Sequence, residues 1–492
     1  MVVVREVGFR SELGLFDVVT LIMGSMIGSG IFILPALMAA DVGSAPLVLL
    51  AWIAGAVLTI CGALTFAEMA AVYPKAGGQY AYLRETLGPL WSFLFGWQML
   101  LAIQTAIIAA VAVAFATFAD YFFDLPGTAH ELGFLTLPKW GLSFTAVAII
   151  WFLTAVNYLG VKRGAFVQNV STVMKVAALV FIVAAVFIKG QPAGNYRDLG
   201  TALGAAGIGT FGIALTRSLF AYDGWPQATY VAAEVKDPNR VVPRALLLGV
   251  GGVALVYILA TAAYFHVLPF DEASGAARIS ADAAAKVVGS SGAALVAGAV
   301  MVSTFGTVNG YILTSPRVFY AVAKDGAFPA AFARLSEHRT PTYGLWYVAV
   351  WSSLLALSGT YAELTLIVVF SLWFFYIPTA IGYFRKRRAN PELFTGFRMP
   401  LYPLPAILFI LSAFYVVGNT ILQDFRTAAF SFVVMALGVP VYYAMKIKGE
   451  VAARASHAGD APTPPAPPMS AGAPAAPVPA KRPKRTKKPP TD

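Results

Sequence analysis

The chain has a single cysteine, Cys61, and only four histidines among its 492 residues. One thiol cannot form an internal disulfide framework, and a metal centre built on cysteine ligands is excluded as well. The histidines, His130, His266, His338 and His457, are scattered, and no nucleophile–base pair accompanies them. An enzyme that needs a catalytic acid, base or metal cluster is therefore disfavoured. We expect no catalytic residues, no metal and no cofactor.

Charged residues are also scarce, at 12% of the chain, whereas hydrophobic residues make up 58%. Soluble globular domains carry about twice that share of charge. Twelve apolar segments approach the roughly 20 residues that a helix needs to cross a bilayer. They lie near residues 15–39, 45–72, 90–119, 140–159, 165–188, 205–232, 243–268, 293–322, 342–358, 362–384, 401–422 and 427–446. The sequence therefore predicts an all-α polytopic membrane protein with about twelve transmembrane helices.

The distribution of basic residues predicts how this protein is oriented in the bilayer. Most of the 35 Lys and Arg residues lie in loops that would share a side with the N-terminus. The loops of the other side hold Lys139, Lys189, Arg197, Arg278, Lys286 and Arg426. This bias follows the positive-inside rule, so both termini are expected in the cytoplasm. The basic composition is thus a sign of topology, and we expect no nucleic-acid partner. No cleavable signal peptide is expected, because the first apolar run is too long and lacks a small-residue cleavage site.

Two short interruptions occupy matching places in the first and sixth apolar segments. The first covers residues 24–32 (GSMIGSGIF) and the second covers residues 220–226 (FAYDGWP). Glycine, proline and a carboxylate are poor helix formers. Broken backbone at membrane depth is tolerated only where it is buried in protein or lines a cavity. Paired breaks in two halves of a chain therefore point to the midplane binding site of a secondary transporter.

Segments 1–5 and 6–10 form two sets of five, residues 15–188 and 205–384, and each begins with an interrupted helix. Because five is odd, the second set enters the membrane in the opposite direction, which predicts an inverted repeat. Residues 1–14 form a cytoplasmic N-terminus, and helices 11 and 12, residues 401–446, fall outside the repeat. Residues 450–492 are rich in Ala and Pro and end in a basic run. We expect a disordered cytoplasmic tail, which either fixes topology or contacts anionic lipid.

In the first break, Gly28 and Gly30 have no side chains, so a ligand can approach the backbone closely. The amides that begin the outer half-helix, with the positive end of its dipole, suit a carboxylate. Close packing of helices through small residues is the alternative explanation.

In the second break, the carbonyls released between Phe220 and Asp223 would accept hydrogen bonds from an ammonium group. Phe220 and Tyr222 would form apolar walls or a lid, although packed or lipid-facing aromatic residues are equally common. Donors from the first break and acceptors from the sixth segment together suit an amino acid zwitterion.

Four charged residues lie at or near membrane depth, where an ionisable group is a functional candidate. Lys175 lies near mid-bilayer, where it could lose its proton during a cycle or replace a metal cation by holding carbonyls of the first segment. Asp223 could pair with Lys175 or Arg217, contact a substrate amine, or cap the inner half-helix. Arg217 could line an outer vestibule. Glu68 is expected to form a structural ion pair with a cytoplasmic basic residue.

The eighth segment brings polar groups to the same depth. Asn309, with Ser303, Thr304 and Thr307, could face the first segment and Lys175 in a coupling role. Hydrogen bonding between helices is the alternative.

Several motifs in order resemble the amino acid–polyamine–organocation (APC) superfamily, and specifically its L-type amino acid transporter branch. They are residues 27–32, residues 67–69 with 73–82, residues 167–169 through Lys175, residues 220–225 running to Glu234, Pro238 and Pro243, and residues 305–310 through 314–317. The likeness covers roughly residues 10–450.

The resemblance implies a LeuT-like fold and sodium-independent amino acid exchange. It implies that the substrate carboxylate and backbone are held by Ile27, Gly28, Ser29, Gly30 and Ile31, and the amine by Phe220, Ala221 and Asp223, with Tyr222 beside them. Phe220 would be an outer gate. Lys175 matches the lysine that occupies a sodium-site position in sodium-independent members and would link the first and eighth segments.

Animal relatives often have glycine where Asp223 stands, and they join a heavy chain through a loop cysteine that is absent here. No disulfide-linked heavy chain is therefore expected. We interpret the chain as a bacterial-type inner-membrane exchanger of neutral L-amino acids, with small ones such as alanine or serine favoured. A proton-coupled symporter, or a carrier of cationic or large neutral amino acids or polyamines, remains open. A channel is disfavoured, because buried charges and paired breaks around one site favour occlusion.

Overall fold

The computed structural model describes residues 9–127, 130–132, 135–137, 139–196, 208–276, 278–289, 291–358, 361–423 and 425–459. Its helices follow the twelve predicted segments in order, and we call them spans 1 to 12. Spans 1 and 6 are broken into Leu15–Met26 with Gly30–Val42, and Ile208–Ala221 with Gln227–Tyr230. The other spans are Ala45–Val72, Pro89–Phe123, Trp140–Tyr158, Val161–Lys189, Pro238–Val267, Gly292–Lys324, Thr342–Ser358, Tyr361–Ala389, Leu404–Gln423 and Phe425–Gly459.

Length and hydropathy make this a polytopic membrane protein. Within the described residues, nine helices are long and apolar enough to cross a bilayer, and the bent pair of span 1 makes ten. Spans 6 and 9 are shorter, with helices of 14 and 17 residues. The predicted all-α polytopic fold is confirmed. We call the side of the bundle on which Leu15 begins span 1 the N-terminal face.

Several smaller elements were not predicted, because they are short and lie between spans. They are helices Gln79–Leu87, Phe270–Ser274 and Ile279–Val288, 3₁₀ turns Ala232–Glu234, Ala330–Ala333 and Pro391–Leu393, and a hairpin of β1 (His130–Leu132) with antiparallel β2 (Leu135–Leu137). A π-helical stretch, Met99–Ile103, interrupts span 3. In such stretches the backbone hydrogen bonds join residues five apart instead of four. This stretch contains no glycine or proline that would have predicted it.

The end of the chain differs from the prediction. Span 12 continues to Gly459, beyond the expected end at residue 446 and into the predicted tail. The added residues include Ala452, Ala453 and Arg454, which are strong helix formers. The chain divides into two units, Met1–Lys446 and Ile447–Asp492. The rest of the predicted disordered tail, residues 460–492, lies outside the described residues, as do Gly359 and Thr360 between spans 9 and 10.

Both predicted interruptions are present as breaks in the helices. The two halves of span 1 have 12 and 13 residues and are bent by 42°. At 1.5 Å per residue each half is roughly 20 Å long, which places the break near mid-span. In span 6, the chain leaves the helix after Ala221 and turns through Asp223 and Gly224 before Gln227. We call the halves 1a, 1b, 6a and 6b.

The two breaks lie directly against each other. Gly224 has φ 109°, and a Cβ atom there would lie 2.9 Å from the backbone carbonyl carbon and oxygen of Ser25. Only glycine allows that conformation and that approach without strain. Tyr257 of span 7 joins the same two segments, since its hydroxyl lies 2.8 Å from the Met26 carbonyl and 3.2 Å from the Ala221 carbonyl. The centre of the fold is therefore a contact between the turn of span 6 at Gly224 and the end of half-helix 1a.

Candidate functional site

A cavity of about 40 Å³ lies between the two breaks. At roughly 10–15 Å³ for each water molecule, it has room for about three waters. Span 1 and span 6 form one part of its wall, and spans 3 and 8 form the other. The lining residues are Ser25, Met26, Gly28, Ser29, Gly30, Ile107, Val111, Phe220, Ala221, Asp223, Thr307 and Tyr311.

Gly28 and Gly30 lie in this wall for different reasons. A Cβ atom on Gly28 would meet only the Thr307 hydroxyl, at 3.9 Å, so Gly28 borders open space. A Cβ atom on Gly30 would lie 3.2 Å from the Ala221 Cβ, so Gly30 allows spans 1 and 6 to pack closely. The contact at Gly30 fits the helix-packing explanation, whereas ligand approach at Gly28 stays a prediction for which the structure leaves space.

The wall from span 1b is rich in amide donors. Half-helix 1b begins at Gly30 with Ser29 as its N-cap. The first four N–H groups of a helix have no acceptor within that helix, and the helix dipole places partial positive charge there. This end of the cavity is suited to an anionic group.

Asp223 places a carboxylate on the opposite wall. Its Oδ1 accepts a hydrogen bond from the Tyr376 hydroxyl at 3.2 Å. Among the described residues, no Lys, Arg or His side chain forms an ion pair with it. Of the alternatives considered for Asp223, pairing with Lys175 or Arg217 is not the observed arrangement, since Lys175 bonds carbonyl groups and Arg217 pairs with Asp41. A carboxylate without a basic partner makes this wall suited to a cation.

The side chains of the two aromatic residues of the second break lie in different places. Phe220 lines the cavity as expected. Tyr222 is fully buried elsewhere, with its ring centroid 5.6 Å from that of Trp52 and 5.2 Å from that of Tyr257. Tyr222 therefore packs against spans 2 and 7 and does not line the cavity. Ile27 and Ile31 are likewise buried and outside the cavity lining.

Lys175 is fully buried behind the first break, where four oxygen atoms surround its ammonium group. Its Nζ donates to the carbonyls of Gly24 (2.9 Å), Ile27 (2.7 Å) and Ser303 (2.7 Å) and lies 3.3 Å from the Thr307 hydroxyl. Two of these carbonyls belong to span 1, which leaves the helix here. The ammonium thus occupies a cage of oxygens of the kind that binds a hard metal cation.

Span 8 supplies the other side of this cage through two hydroxyl groups. Ser303 Oγ lies 2.7 Å from the Ile27 carbonyl and 3.1 Å from that of Gly28. Thr307 Oγ1 lies 2.9 Å from the Gly24 carbonyl and also borders the cavity. Thr307 is thus the side chain that touches both the cavity and the lysine cage.

Asn309 and Thr304 lie away from this cage, so the structure does not bring them to Lys175 as expected. The Asn309 amide donates to the Gly164 carbonyl and to Gln168 Oε1 of span 5, and its oxygen accepts from Asn157 of span 4. Thr304 bonds to carbonyls of its own helix. For Asn309, hydrogen bonding between helices is the observed arrangement.

Two other membrane-depth charges have partners. Arg217 Nε lies 2.6 Å from Asp41 Oδ2, so this pair joins half-helices 6a and 1b. Asp41 was not predicted, because nothing near it in the sequence points to span 6. Glu68 pairs with Arg387 at 3.0 Å and accepts from the Tyr383 hydroxyl, which confirms its expected structural role.

A buried ion pair closes the N-terminal face. Arg317 Nε lies 2.6 Å from Glu234 Oε1, and both side chains are almost fully buried. Arg317 lies on span 8, which continues past it to Lys324. The Glu234 carbonyl also accepts the amide of Leu13, which pairs in parallel with Val235. The segment before span 1 is thereby attached to the segment after span 6.

Loop groups extend this closure. The Tyr80 hydroxyl donates to Asp325 Oδ2 at 2.8 Å, and the Gly77 amide donates to the Tyr230 carbonyl of 6b at 3.2 Å. Burial and the Asp325 carboxylate raise the pKa of the Tyr80 phenol, so it remains a donor.

Several lining residues were missed by sequence reasoning. Ile107 and Val111 of span 3 and Tyr311 of span 8 lie within regular α-helix, and so does Tyr257 behind the breaks. Apolar and aromatic residues on an apolar helix carry no local signal of their role. Ser25 lies within the glycine-rich stretch, where its position was visible.

The sequence of this chain is similar to those of known membrane proteins. The model of a family described as "Amino acid permease" matches residues 13–444. The "Serine/threonine exchanger SteT" of Bacillus subtilis (strain 168) is 32% identical over 89% of this chain and 98% of its own length. The human "Large neutral amino acids transporter small subunit 2" is 30% identical over 89% of this chain and 81% of its own. The human "b(0,+)-type amino acid transporter 1" is 29% identical over 85% and 84%.

Glu234→Ala should strongly destabilise the protein, because it leaves the Arg317 guanidinium buried without a counter-charge. Removing one partner of a buried ion pair costs about 3–5 kcal/mol. Thermal unfolding in detergent measures the effect. Glu85→Ala is the matched control, because Glu85 pairs with Lys75 at 2.8 Å where both are exposed to solvent; it should cost about 0–1 kcal/mol. Equal losses in the two variants would contradict a stabilising role for the buried pair.

Proposed function

This chain belongs to the amino acid permease family, within the L-type-like branch of the APC superfamily, and we propose that it is a sodium-independent exchanger of neutral L-amino acids. Amino acid transport is the activity its relatives share by name. The observation that carries the proposal is the cavity at the meeting of two helix breaks, with amide donors on one wall and Asp223 on the other. Such paired breaks are the binding sites of inverted-repeat transporters.

The zwitterion is proposed to lie across the cavity. Its carboxylate meets the amides at the start of 1b, beside Gly28. Its ammonium meets Asp223 and carbonyls of the second break. The Ala221 carbonyl already lies 3.2 Å from the Tyr257 hydroxyl, so Asp223 is the strongest acceptor left on that wall. A charge-assisted hydrogen bond to an ammonium is about twice as strong as a neutral one.

The size of the cavity favours a small substrate. The cavity of about 40 Å³ has to widen to admit even a small amino acid, and its walls of Ile107, Val111, Phe220 and Tyr311 leave little room for a long side chain. Alanine, serine and threonine are the proposed class. The name of the Bacillus subtilis relative, a serine/threonine exchanger, agrees with this choice.

Sodium independence rests on the lysine cage. The Lys175 ammonium holds the carbonyls of Gly24 and Ile27 that a metal ion would otherwise coordinate. A fixed charge of the protein in this position removes the need for a cation to bind with each substrate. Because Thr307 touches both the cage and the cavity, occupancy of the cavity is coupled to the contact between spans 1 and 8.

Alternating access is proposed to open the N-terminal face, which we assign to the cytoplasm from the charge bias of the loops. That face is closed here by Arg317 with Glu234 and by the pairing of Leu13 with Val235. Opening requires 1a and 6b to move away from span 8, and these contacts to break together. The protein would then act in the inner membrane of a bacterium, with both termini inside.

Asp223 also favours a second candidate. A carboxylate without a basic partner among the described residues suits a substrate with net positive charge, such as a cationic amino acid or a polyamine. Proton-coupled uptake of a neutral amino acid is a third possibility for the same site.

Counterflow into proteoliposomes tests the proposed function. Vesicles loaded with unlabelled serine should take up labelled serine or alanine without a pH gradient and without sodium, whereas empty vesicles should not. Uptake that needs a proton gradient would replace exchange with symport. Arginine or putrescine outcompeting serine would replace the neutral substrate class with a cationic one.

Lys175→Ala should reduce exchange by at least about tenfold while the protein still inserts and elutes as a single species. Loss of one charge-assisted hydrogen bond costs about 1.5–3 kcal/mol, and Lys175 makes several. Initial rates of counterflow measure the effect. Lys162→Ala removes an exposed lysine at the start of the same helix and should leave the rate unchanged. Near-normal kinetics in Lys175→Ala would refute the coupling role.

Gly28→Val should raise the half-saturation concentration for exchange by about tenfold or more, because the side chain fills the space beside the amides. Gly251→Val is the control, since a Cβ atom there has no neighbour within 4 Å. Concentration dependence of counterflow gives both values. Unchanged affinity in Gly28→Val would count against placing the carboxylate there.

A further inference from the structure

A second cavity lies at the N-terminal face and shares no lining residue with the central cavity. Its volume is about 600 Å³, within the roughly 300–1,000 Å³ typical of ligand sites. One wall is the first two turns of span 7, and the other belongs to the loop between spans 10 and 11. The lining residues are Asp237, Asn239, Arg240, Pro243, Arg244, Gly396 and Phe397.

The cavity carries a positive charge that its own residues do not neutralise. Arg240 and Arg244 line it together with a single carboxylate, Asp237, whose Oδ2 lies 3.8 Å from Arg240 Nε. Arg244 has no carboxylate within 4.0 Å among the described residues. Lys236 and Arg398 are exposed and adjoin lining residues in the sequence.

The exposed face of span 7 changes from basic to apolar at this cavity. Arg240 and Arg244 are four residues apart and lie on one face of the helix. The same face continues with Leu248, Leu255 and Leu259, whose side chains are 57%, 60% and 41% exposed. Exposed leucines on a membrane helix contact lipid chains. The arginines therefore lie at the depth where headgroups meet hydrocarbon.

The opposite wall lies at the same depth. The loop between spans 10 and 11 exposes Leu401, and the first residue of span 11, Leu404, is exposed next to it, at 79% and 52%. Large apolar side chains this exposed next to arginines are typical of a segment at the membrane interface. Both walls thus combine basic groups with an apolar surface directly beyond them.

We propose that this cavity binds the headgroup of an anionic phospholipid of the cytoplasmic leaflet. Arg240 and Arg244 hold its phosphate, and its acyl chains follow Leu248 and Leu255 along span 7. Arginine is well suited to phosphate, because its planar group donates two parallel hydrogen bonds. The exposed leucines favour a lipid over a soluble phosphate, which has no apolar part to bury. The orientation of the protein proposed above is a premise.

Native mass spectrometry of the full chain in detergent tests this proposal, with phosphatidylglycerol as the probe and phosphatidylcholine and inorganic phosphate as separate arms. Phosphatidylglycerol should bind in preference to phosphatidylcholine, and inorganic phosphate should not displace it. The double variant Arg240→Gln with Arg244→Gln should bind phosphatidylglycerol about 25-fold more weakly, at about fivefold for each arginine. Lys162→Gln with Arg163→Gln is the matched control, because it removes two exposed charges from the same face; it should bind as the unchanged protein does.

A second variant distinguishes loss of the binding site from misfolding of the protein. Gly396→Trp leaves both arginines in place and fills the cavity; it should also weaken phosphatidylglycerol binding, while counterflow in phosphatidylcholine vesicles stays unchanged. Equal binding by the arginine variant and its control would overturn the proposal. Equal binding of phosphatidylcholine would remove the requirement for an anionic headgroup, and displacement by inorganic phosphate would replace the lipid with a soluble anion. Because counterflow and lipid binding are separate measurements, failure of one proposal is distinguishable from failure of the other.

Discussion

Breaking a helix inside a membrane releases backbone groups that must find partners within the protein, and this requirement organises the centre of the molecule. The released carbonyls of span 1 have partners from three other spans: Lys175 of span 5, Tyr257 of span 7, and Ser303 and Thr307 of span 8. Some amides of the break also have backbone acceptors, since Gly28 donates to the Met26 carbonyl and Phe32 to that of Ser29. The break thus has partners for its released carbonyls, and its residues Gly28, Ser29 and Gly30 line the cavity.

The hydrogen bonds of Lys175 depend on the relative positions of spans 1, 5 and 8. Its ammonium bonds carbonyls of spans 1 and 8 from a side chain anchored in span 5. A rearrangement that pulls span 1 away from span 8 separates these acceptors, and a buried ammonium without acceptors is costly. The same side chain that permits the break therefore also limits how far the halves can move unless other groups or water replace the lost contacts.

Much of this organisation was visible in the sequence, and the reasons for the remainder are physical. Glycine-rich interruptions, long apolar runs and a lysine at membrane depth are rare and local, so the breaks, the spans and the burial of Lys175 could be predicted. Which face a residue of an unbroken helix presents cannot be found locally. Two alternatives therefore stayed open for Asn309, of which hydrogen bonding between helices is observed, and Tyr257 and Tyr311 were missed. Arg217 and Asp41 are 176 residues apart, so their pairing depends on the packing of the half-helices.

The buried pair of Arg317 and Glu234 is well matched to a closure that has to open. An apolar plug of the same size gains stability from every contact it makes, and exposing it to water forfeits all of that gain. A buried ion pair loses hydration when it forms and regains it when water enters, so its closed and open forms lie closer in free energy. Two conformations that differ by only a few kcal/mol are what a ligand's differential affinity can interconvert. The N-terminal face thus has a specific closed geometry, fixed by charge and by the pairing of Leu13 with Val235. In the proposed alternating-access cycle, such a closure would keep the free-energy difference between the closed and open states small.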